Sequence, residues 1–295
     1  MRKKGKEVFN GYKLNKKFTI VILLVLAVCL MFFTINSFTT TKNMIVSQSI
    51  QETLRWLDED YSSVQKMTEL CYMSAQIFLE DRELKDFLED LKDGKEMTPD
   101  QHYDFFKTNI NTMESMVNSN PYLYQIRVYA YNNSFPEMDP ILYHMDRLER
   151  FPWAATFESG TWQMDYPDYL LSRSDQHHLI SLVSTMTNGR GEEIGVVEAV
   201  VSMEEMFPRI YSADEYSWSC FVKEDGTIVS SSDNSIWERS KEEIIDVLPR
   251  TTSYDYIYTS INGHEVIIAG QYMEEFSGTY VCLYSLAQQS RQMFL

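Results

Sequence analysis

Glycine and proline are scarce in this 295-residue chain, at 11 and 8 residues, and neither occurs between residues 36 and 93. Without them that stretch has no turn signal, and it predicts a single long helix. Cysteine is scarcer, with four in all. Cys29 lies in an apolar run, and the odd number after it (Cys71, Cys220 and Cys282) excludes a closed disulfide framework. Cys220 and Cys282 both sit in strand-like runs, which leaves them open to pairing or to life as buried thiols. The five histidines, His102, His144, His177, His178 and His264, include no pair at ligand spacing, so no metal site is expected. No glycine-rich phosphate loop, dinucleotide fingerprint or kinase motif occurs, and no cofactor is expected. Bases are few beside acids, 26 against 43.

What the chain does have begins with "FTIVILLVLAVCLMFFTI", residues 18 to 35, which holds no charged side chain. As a helix it spans about 27 Å, enough to cross a bilayer. No small-x-small cleavage site follows, so it is expected to stay as an anchor. Arg2, Lys3, Lys4, Lys6, Lys13, Lys16 and Lys17 precede it against Glu7 alone, which places residues 1–17 in the cytoplasm and everything after residue 35 outside. The first 17 residues are thus at +6, and the remaining 278 carry −23 of the net −17. So acidic an exterior excludes nucleic acid as a partner.

From residue 36 to 93 a stalk helix is expected: Ile50, Leu54, Leu57, Tyr61, Val64, Thr68, Cys71, Ala75 and Phe78 recur at spacings of four and three. Thr98-Pro99-Asp100 starts another helix. After Pro121 the period becomes two, with Leu123, Gln125, Arg127, Tyr129 and Tyr131 on one strand face and Tyr124, Ile126, Val128 and Ala130 on the other. An irregular stretch containing Trp153 and Trp162 follows. "HLISLVSTM" and "IGVVEAVVS" then flank the glycine-bearing turn "TNGRGEE". The second of these strands is apolar at both parities except for Glu198. That side chain either faces a pocket beside Val196 and Val200, or reaches solvent near a strand end and pairs with Arg190. Smaller hairpins turn near Asp225-Gly226 and at Asn262-Gly263, and "SKEEIIDVLPR" reads as a short capped helix. "GTYVCLYSL" is a last strand, and a helix begins at 286–295.

This order of parts, with "GEEIGVVEAVVSMEEMF" and "FVKEDGTIVSSSDNSIW" as its most specific pieces, resembles the double Cache extracytoplasmic domain of bacterial transmembrane receptors. The resemblance implies an α+β fold. It has a transmembrane helix continuing into the stalk, a membrane-distal PAS-like module at 94–207, a membrane-proximal one at 208–285, and an exit helix toward a second span. It is most similar to sensor histidine kinases of the YesM type, which implies carbohydrate sensing. Membrane-anchored AraC-type regulators share such ectodomains. Amino-acid-binding members carry an Arg-x-Trp-Tyr signature and an Asp five residues past the strand glycine. Here "RFPWAA" has one residue too many, and Val200 stands where that Asp belongs.

The expectation is therefore a sensor without catalytic activity of its own. It takes a small polar solute, or a solute-binding protein, at Arg127, Tyr129, Tyr131, Trp153, Trp162 and Glu198, and it works as a homodimer. Aromatic faces beside charged groups suit a sugar ring. The rivals are a membrane-tethered adhesion protein and, weakest, a sortase-like enzyme using His177 or His178, Cys220 and Arg239. The context "SWSCFV" does not match that enzyme.

Overall fold

The computed structural model describes residues 2–170, 178–212, 215–231, 236–248 and 255–287. Helix α1 runs Arg2–Glu80. It is long and apolar enough to cross a membrane, and its large apolar side chains between Phe18 and Phe38 are exposed. The chain divides near residue 52, and residues 53–288 form the unit that holds the rest of the fold.

The stalk stripe predicts a helix unbroken to residue 93, but the helix stops at Asp81. The Asp81 carboxylate accepts the amide of Leu84 at 2.7 Å, capping a new helix α2 (Arg82–Lys92). An acidic side chain that bonds the backbone locally competes with helix continuation, and no Gly or Pro is needed to end it. The break turns α2 so that Leu84, Phe87, Leu88 and Leu91 are buried. Helix α3 (Pro99–Phe105) opens with a capping box between Thr98 and Gln101. It continues through a π-helical turn (Phe106–Ile110) into α4 (Asn111–Ser119).

Two five-stranded sheets follow. The first comprises β1 (Gln125–Ala130), β2 (Leu142–His144), β3 (Thr161–Pro167), β4 (His178–Thr187) and β5 (Glu193–Ser202), with helix α5 (Met145–Leu148) after β2. Helices α6 (Met203–Met206) and α7 (Pro208–Tyr211) lead to the second sheet. That sheet contains β6 (Ser217–Lys223), β7 (Ile228–Val229), β8 (Asp255–Ile261), β9 (His264–Met273) and β10 (Gly278–Ser285). Helices α8 (Ile236–Arg239) and α9 (Lys241–Asp246) lie between β7 and β8. The strand orders match, β2-β1-β5-β4-β3 and β7-β6-β10-β9-β8, with β5 and β10 central. All pairings are antiparallel except β1 with β2. Asn262 and Gly263 take φ of 51° and 79°, the hairpin geometry their sequence predicts.

The stripe on α1 is spent on these sheets. Leu57, Val64, Cys71, Ala75 and Phe78 are buried in one cluster with Ile126, Val128, Val197 and Ala199 of the first sheet and Phe221 and Tyr280 of the second. Each such side chain contributes about 1.5–3 kcal/mol on burial. Helix α2 lies against β5 at Gly195, where a Cβ would stand 2.8 Å from the Tyr129 carbonyl and 3.1 Å from Leu88. The helix expected at 286–295 lies, beyond Ala287, outside the described residues.

Cys220 pairs across the ladder with Val281, and Cys282 with Ser219. Neighbouring residues on a strand point to opposite faces, so the two sulfurs cannot bond to each other.

Candidate functional site

Strand β5 is buried along nearly its whole length, and Glu198 at its middle is fully buried. Directly opposite on β1 stands Arg127, also at 0% exposure. The expected pairing of Glu198 with Arg190 does not occur; Arg190 reaches Glu89 and Glu192 instead. The Arg127 guanidinium lies 3.5 Å from Glu198 and donates to Asp168 at 2.8 Å and to Gln125 at 2.6 Å. The Tyr129 and Tyr166 hydroxyls each donate to Glu198, at 2.6 and 2.7 Å, and Tyr166 also bonds Ser181. Tyr143, from the parallel edge strand β2, bridges Gln125 and Asp139. Buried charges persist only when paired and hydrogen-bonded in this way.

The electrostatics follow from burial. Removal from water pushes the Tyr129 and Tyr166 hydroxyls well above the usual phenol range, and the Glu198 charge pushes them further. For Arg127, burial pulls downward, but Glu198, Tyr129 and Asp168 outweigh it and hold the group above its ordinary value. Both tyrosines thus remain neutral donors to Glu198 at physiological pH.

Tyr166 and Asp168 went unforeseen because strand parity is broken before them. Thr161 and Gln163 pair with Val183 and Ser181, on the same face as Arg127 and Glu198. The register then shifts at Asp165, whose φ is +62°. This one-residue bulge puts Tyr166, opposite Leu179, back on the Gln163 face. The dipeptide Met164-Asp165 carries no glycine or asparagine to announce it. No period-two alternation carries from Gln163 to Tyr166 and Asp168, so the sequence pattern held no signal for them.

The same register corrects one expectation. Trp162 pairs with Leu182 and belongs to the opposite face. There it meets Tyr72 of α1 edge-on at 6.0 Å and Phe276 of the second sheet at 5.2 Å. A residue odd or even in sequence falls on a face only relative to a register, which the irregular stretch 132–176 did not supply.

Trp153 does belong with the group. It stacks on Phe151 at 5.1 Å and meets Tyr166 at 5.6 Å and Phe157 at 6.1 Å. Its indole Nε1 and one Arg127 terminal nitrogen, Nη1, are buried without hydrogen-bond partners among the described residues. Nη1 nevertheless faces the Glu198 carboxylate at 3.5 Å, which leaves the Trp153 indole as the donor on this face without an acceptor, as the Trp162 indole is on the other.

Beside this network opens a cavity of about 780 Å³. Leu148, Phe151, Phe157 and Val196 form its apolar wall, Ser159 and Thr185 add hydroxyls, and the exposed Glu149, Arg150 and Glu193 edge it. Tyr131 also lines it, lying just past the end of β1 and donating to Glu193 at 2.9 Å. Burial and that bond push the Tyr131 hydroxyl up to about 12. Of the six expected residues, Arg127, Tyr129, Glu198 and Trp153 thus meet in one network, Tyr131 lines the adjoining cavity, and Trp162 lies elsewhere.

The equivalent face of the second sheet is filled by Trp218, Trp237, Cys220, Ile268, Val281 and Leu283. Burial raises the Cys220 thiol well above its usual range, the opposite of an activated nucleophile. Of the two histidines expected as its enzymatic partner, His177 lies outside the described residues and His178 meets the Asp165 carboxylate at 2.6 Å. Among the described residues no cluster of metal-ligating side chains occurs.

No protein-family model and no curated protein matches the chain. Solved structures do. The extracellular domain of a protein described as a histidine kinase matches with a TM-score of 0.56 at 17% identity, over 84% of this chain and 95% of that one. A domain of a sensory box/GGDEF-type protein from Vibrio parahaemolyticus matches at 0.52 and 10%, over 83% and 98%. The sensory domain of the Campylobacter jejuni chemoreceptor Tlp3 matches at 0.50 and 11%, over 83% and 95%. At such identities the likeness is one of fold, and the fold is that of Cache-like extracellular sensor domains.

Proposed function

We propose that this chain is the extracytoplasmic ligand-sensing region of a membrane receptor of the sensor histidine kinase kind. Residues 18–35 cross the membrane, and the first sheet with its helices, 94–207, is the distal ligand-binding module. The second, 208–285, relays the response. The ligand is a small polar solute, with a sugar as the favoured class. It sits in the 780 Å³ cavity against Phe151 and Val196, with hydroxyl partners at Thr185, Ser159 and Tyr131. The observation that carries the reading is the asymmetry of the two sheets: on the face away from α1 the first has a buried polar network with a cavity next to it, and the second has an apolar cluster. Volumes of that order suit small ligands. Binding shifts signalling only through different affinity for two receptor states, in a homodimer of this chain.

A second reading has a ligand bearing an ammonium group. The network sets two buried carboxylates, Asp168 and Glu198, against the single Arg127 guanidinium, and a cation would balance it.

The test is a thermal-shift panel on the full chain in nanodiscs, with sugars, uronic acids, amines and amino acids as separate arms. A ligand at 100 times its Kd adds about 2.7 kcal/mol of stability. A hit lost in Trp153→Ala and kept in Trp162→Ala supports the site, and the arm that hits selects the reading. A flat panel on folded protein overturns direct sensing.

A further inference from the structure

Away from the cavity, one carboxylate ties together three stretches that are far apart in sequence. Asp60 lies on α1. Its Oδ2 accepts from Arg209 Nε at 2.8 Å and from the Tyr280 hydroxyl at 3.0 Å. Arg209 belongs to α7, the connection that leaves the first sheet just after β5, and Tyr280 belongs to β10, the central and last strand of the second. One helical turn before Asp60, Trp56 lies under the Arg209 guanidinium at 4.8 Å and meets Tyr284 edge-on at 5.4 Å. The Asp60 side chain is only 12% exposed and that of Arg209 33%, so the pair is largely shielded from water and salt.

Other contacts between the sheets are the Lys223 ammonium of β6, which donates to the Met164 carbonyl of β3 at 3.4 Å, and rings: Phe207 lies 5.7 Å from Phe221, 5.7 Å from Phe276 and 5.5 Å from Tyr280. Apolar contact is non-directional and tolerates sliding, whereas a hydrogen bond fixes direction and distance. The Lys223 bond ties β6 to the edge strand β3, whereas the directional ties at Asp60 join β10 itself to the connection from β5. Strand β5 carries Glu198 and Val196, the floor of the site described above.

We propose that Asp60 is a coupling junction: through Arg209 and Tyr280 it transmits displacements of β5 to β10, and without it the two sheets respond independently. Asp60 acts here as a positioning residue and touches no ligand. The inference depends on no ligand's identity, and its test uses none.

The experiment is hydrogen–deuterium exchange on the full chain in nanodiscs, with Glu198→Gln as the perturbation of β5. Exchange at the β10 amides is read relative to those of β9, so that a global change in stability cancels. Glu198→Gln changes that ratio by about threefold in the wild-type background, within the range of measured intramolecular couplings. In Asp60→Asn the same perturbation leaves the ratio unchanged, and Asp60→Glu restores part of the response. Tyr280→Phe, which removes one tie and keeps the ring, gives an intermediate response and serves should Asp60→Asn fail to fold. An equal response in wild-type, Asp60→Asn and Tyr280→Phe backgrounds, or none in wild type, overturns the proposal. A purely structural role for Asp60 raises β10 exchange without altering its response to Glu198→Gln, which also overturns it.

Discussion

The two sheets share a strand order and differ on the face turned away from α1. Across the central strands, the first sets Arg127 opposite Glu198, and the second sets Cys220 opposite Val281. Around the first pair lie Asp168, Gln125 and the tyrosine hydroxyls, with open volume beside them; around the second lie Trp218, Trp237 and Ile268. A buried ion pair is no more stabilising than well-packed apolar residues of the same volume. The second sheet shows that this scaffold takes an apolar face, so stability does not explain the polar one. A departure from the economical solution at one position of a repeated architecture is what favours this face as the proposed ligand site.

The sharpest way to break that comparison is to make the first face resemble the second. Arg127→Met leaves Asp168 and Glu198 buried without their cation and should cost about 3–5 kcal/mol, read from urea midpoints. Adding Glu198→Leu should return part of the loss, because the remaining charge imbalance shrinks. Against the second sheet, Trp237→Ala should cost about 3–5 kcal/mol through the cavity it leaves and the loss of its indole bond to the Glu215 carbonyl, while Cys220→Val, close in volume, should cost less than about 1.5 kcal/mol. An Arg127→Met loss below that of Cys220→Val would show that the polar face is solvated in solution, and the contrast would fail.

How far this contrast can be read from sequence depends on where the register is anchored. The β4–β5 hairpin was legible because its turn residues and two apolar strands fix their own pairing, and Arg127, Tyr129 and Tyr131 were assigned to one face by simple alternation. Glu198 remained ambiguous because parity says which face a side chain takes and nothing about what covers that face. Asp168 and Tyr166 were lost to the bulge at Asp165, and Trp162 was misplaced for want of a register. Tyr143 enters from a three-residue parallel strand too short to show any period. The end of α1 was missed because Asp81 stops the helix with a side-chain cap in a stretch that lacks Gly and Pro. The two-module α+β architecture survived these errors because it rests on the order of many elements, whereas a site rests on the facing of a few residues.

A smaller effect tests whether the sheets are otherwise built alike. Each central strand carries a glycine where a neighbour comes close. A Cβ at Gly195 would stand 2.8 Å from the Tyr129 carbonyl, and one at Gly278 would stand 2.6 Å from the Val222 carbonyl. Backbone cannot yield as a side chain does, so Gly195→Ala and Gly278→Ala should each cost about 1–3 kcal/mol of overpacking strain. Similar losses in the two variants would confine the difference between sheets to their outer faces. A neutral Gly195→Ala would mean that β5 and α2 are looser than their counterparts, and that the cavity is a property of a soft module.

The smallest effect concerns the cavity wall. Tyr131 and Glu193 form a tyrosine–carboxylate bond there, and Tyr272 and Glu224 form one on the second sheet at 2.7 Å, each tyrosine meeting an exposed carboxylate. The Tyr131 hydroxyl is raised from 10.0 to about 12, by burial first and by Glu193 second. A folded-state value above the unfolded one means that the folded form holds the proton longer. The contribution is therefore complete below pH 10 and is lost as pH rises toward 12. The stability difference between wild type and Tyr131→Phe should hold constant from pH 7 to about 9 and then shrink above pH 10, as read from urea midpoints across the range. For Tyr272→Phe the difference should also shrink above pH 10, there because the bond to Glu224 raises the hydroxyl first and burial second. A Tyr131→Phe difference that stays flat through pH 12 would mean that the cavity wall at Tyr131 is as wet as the open surface, and that a ligand there gains nothing from desolvation.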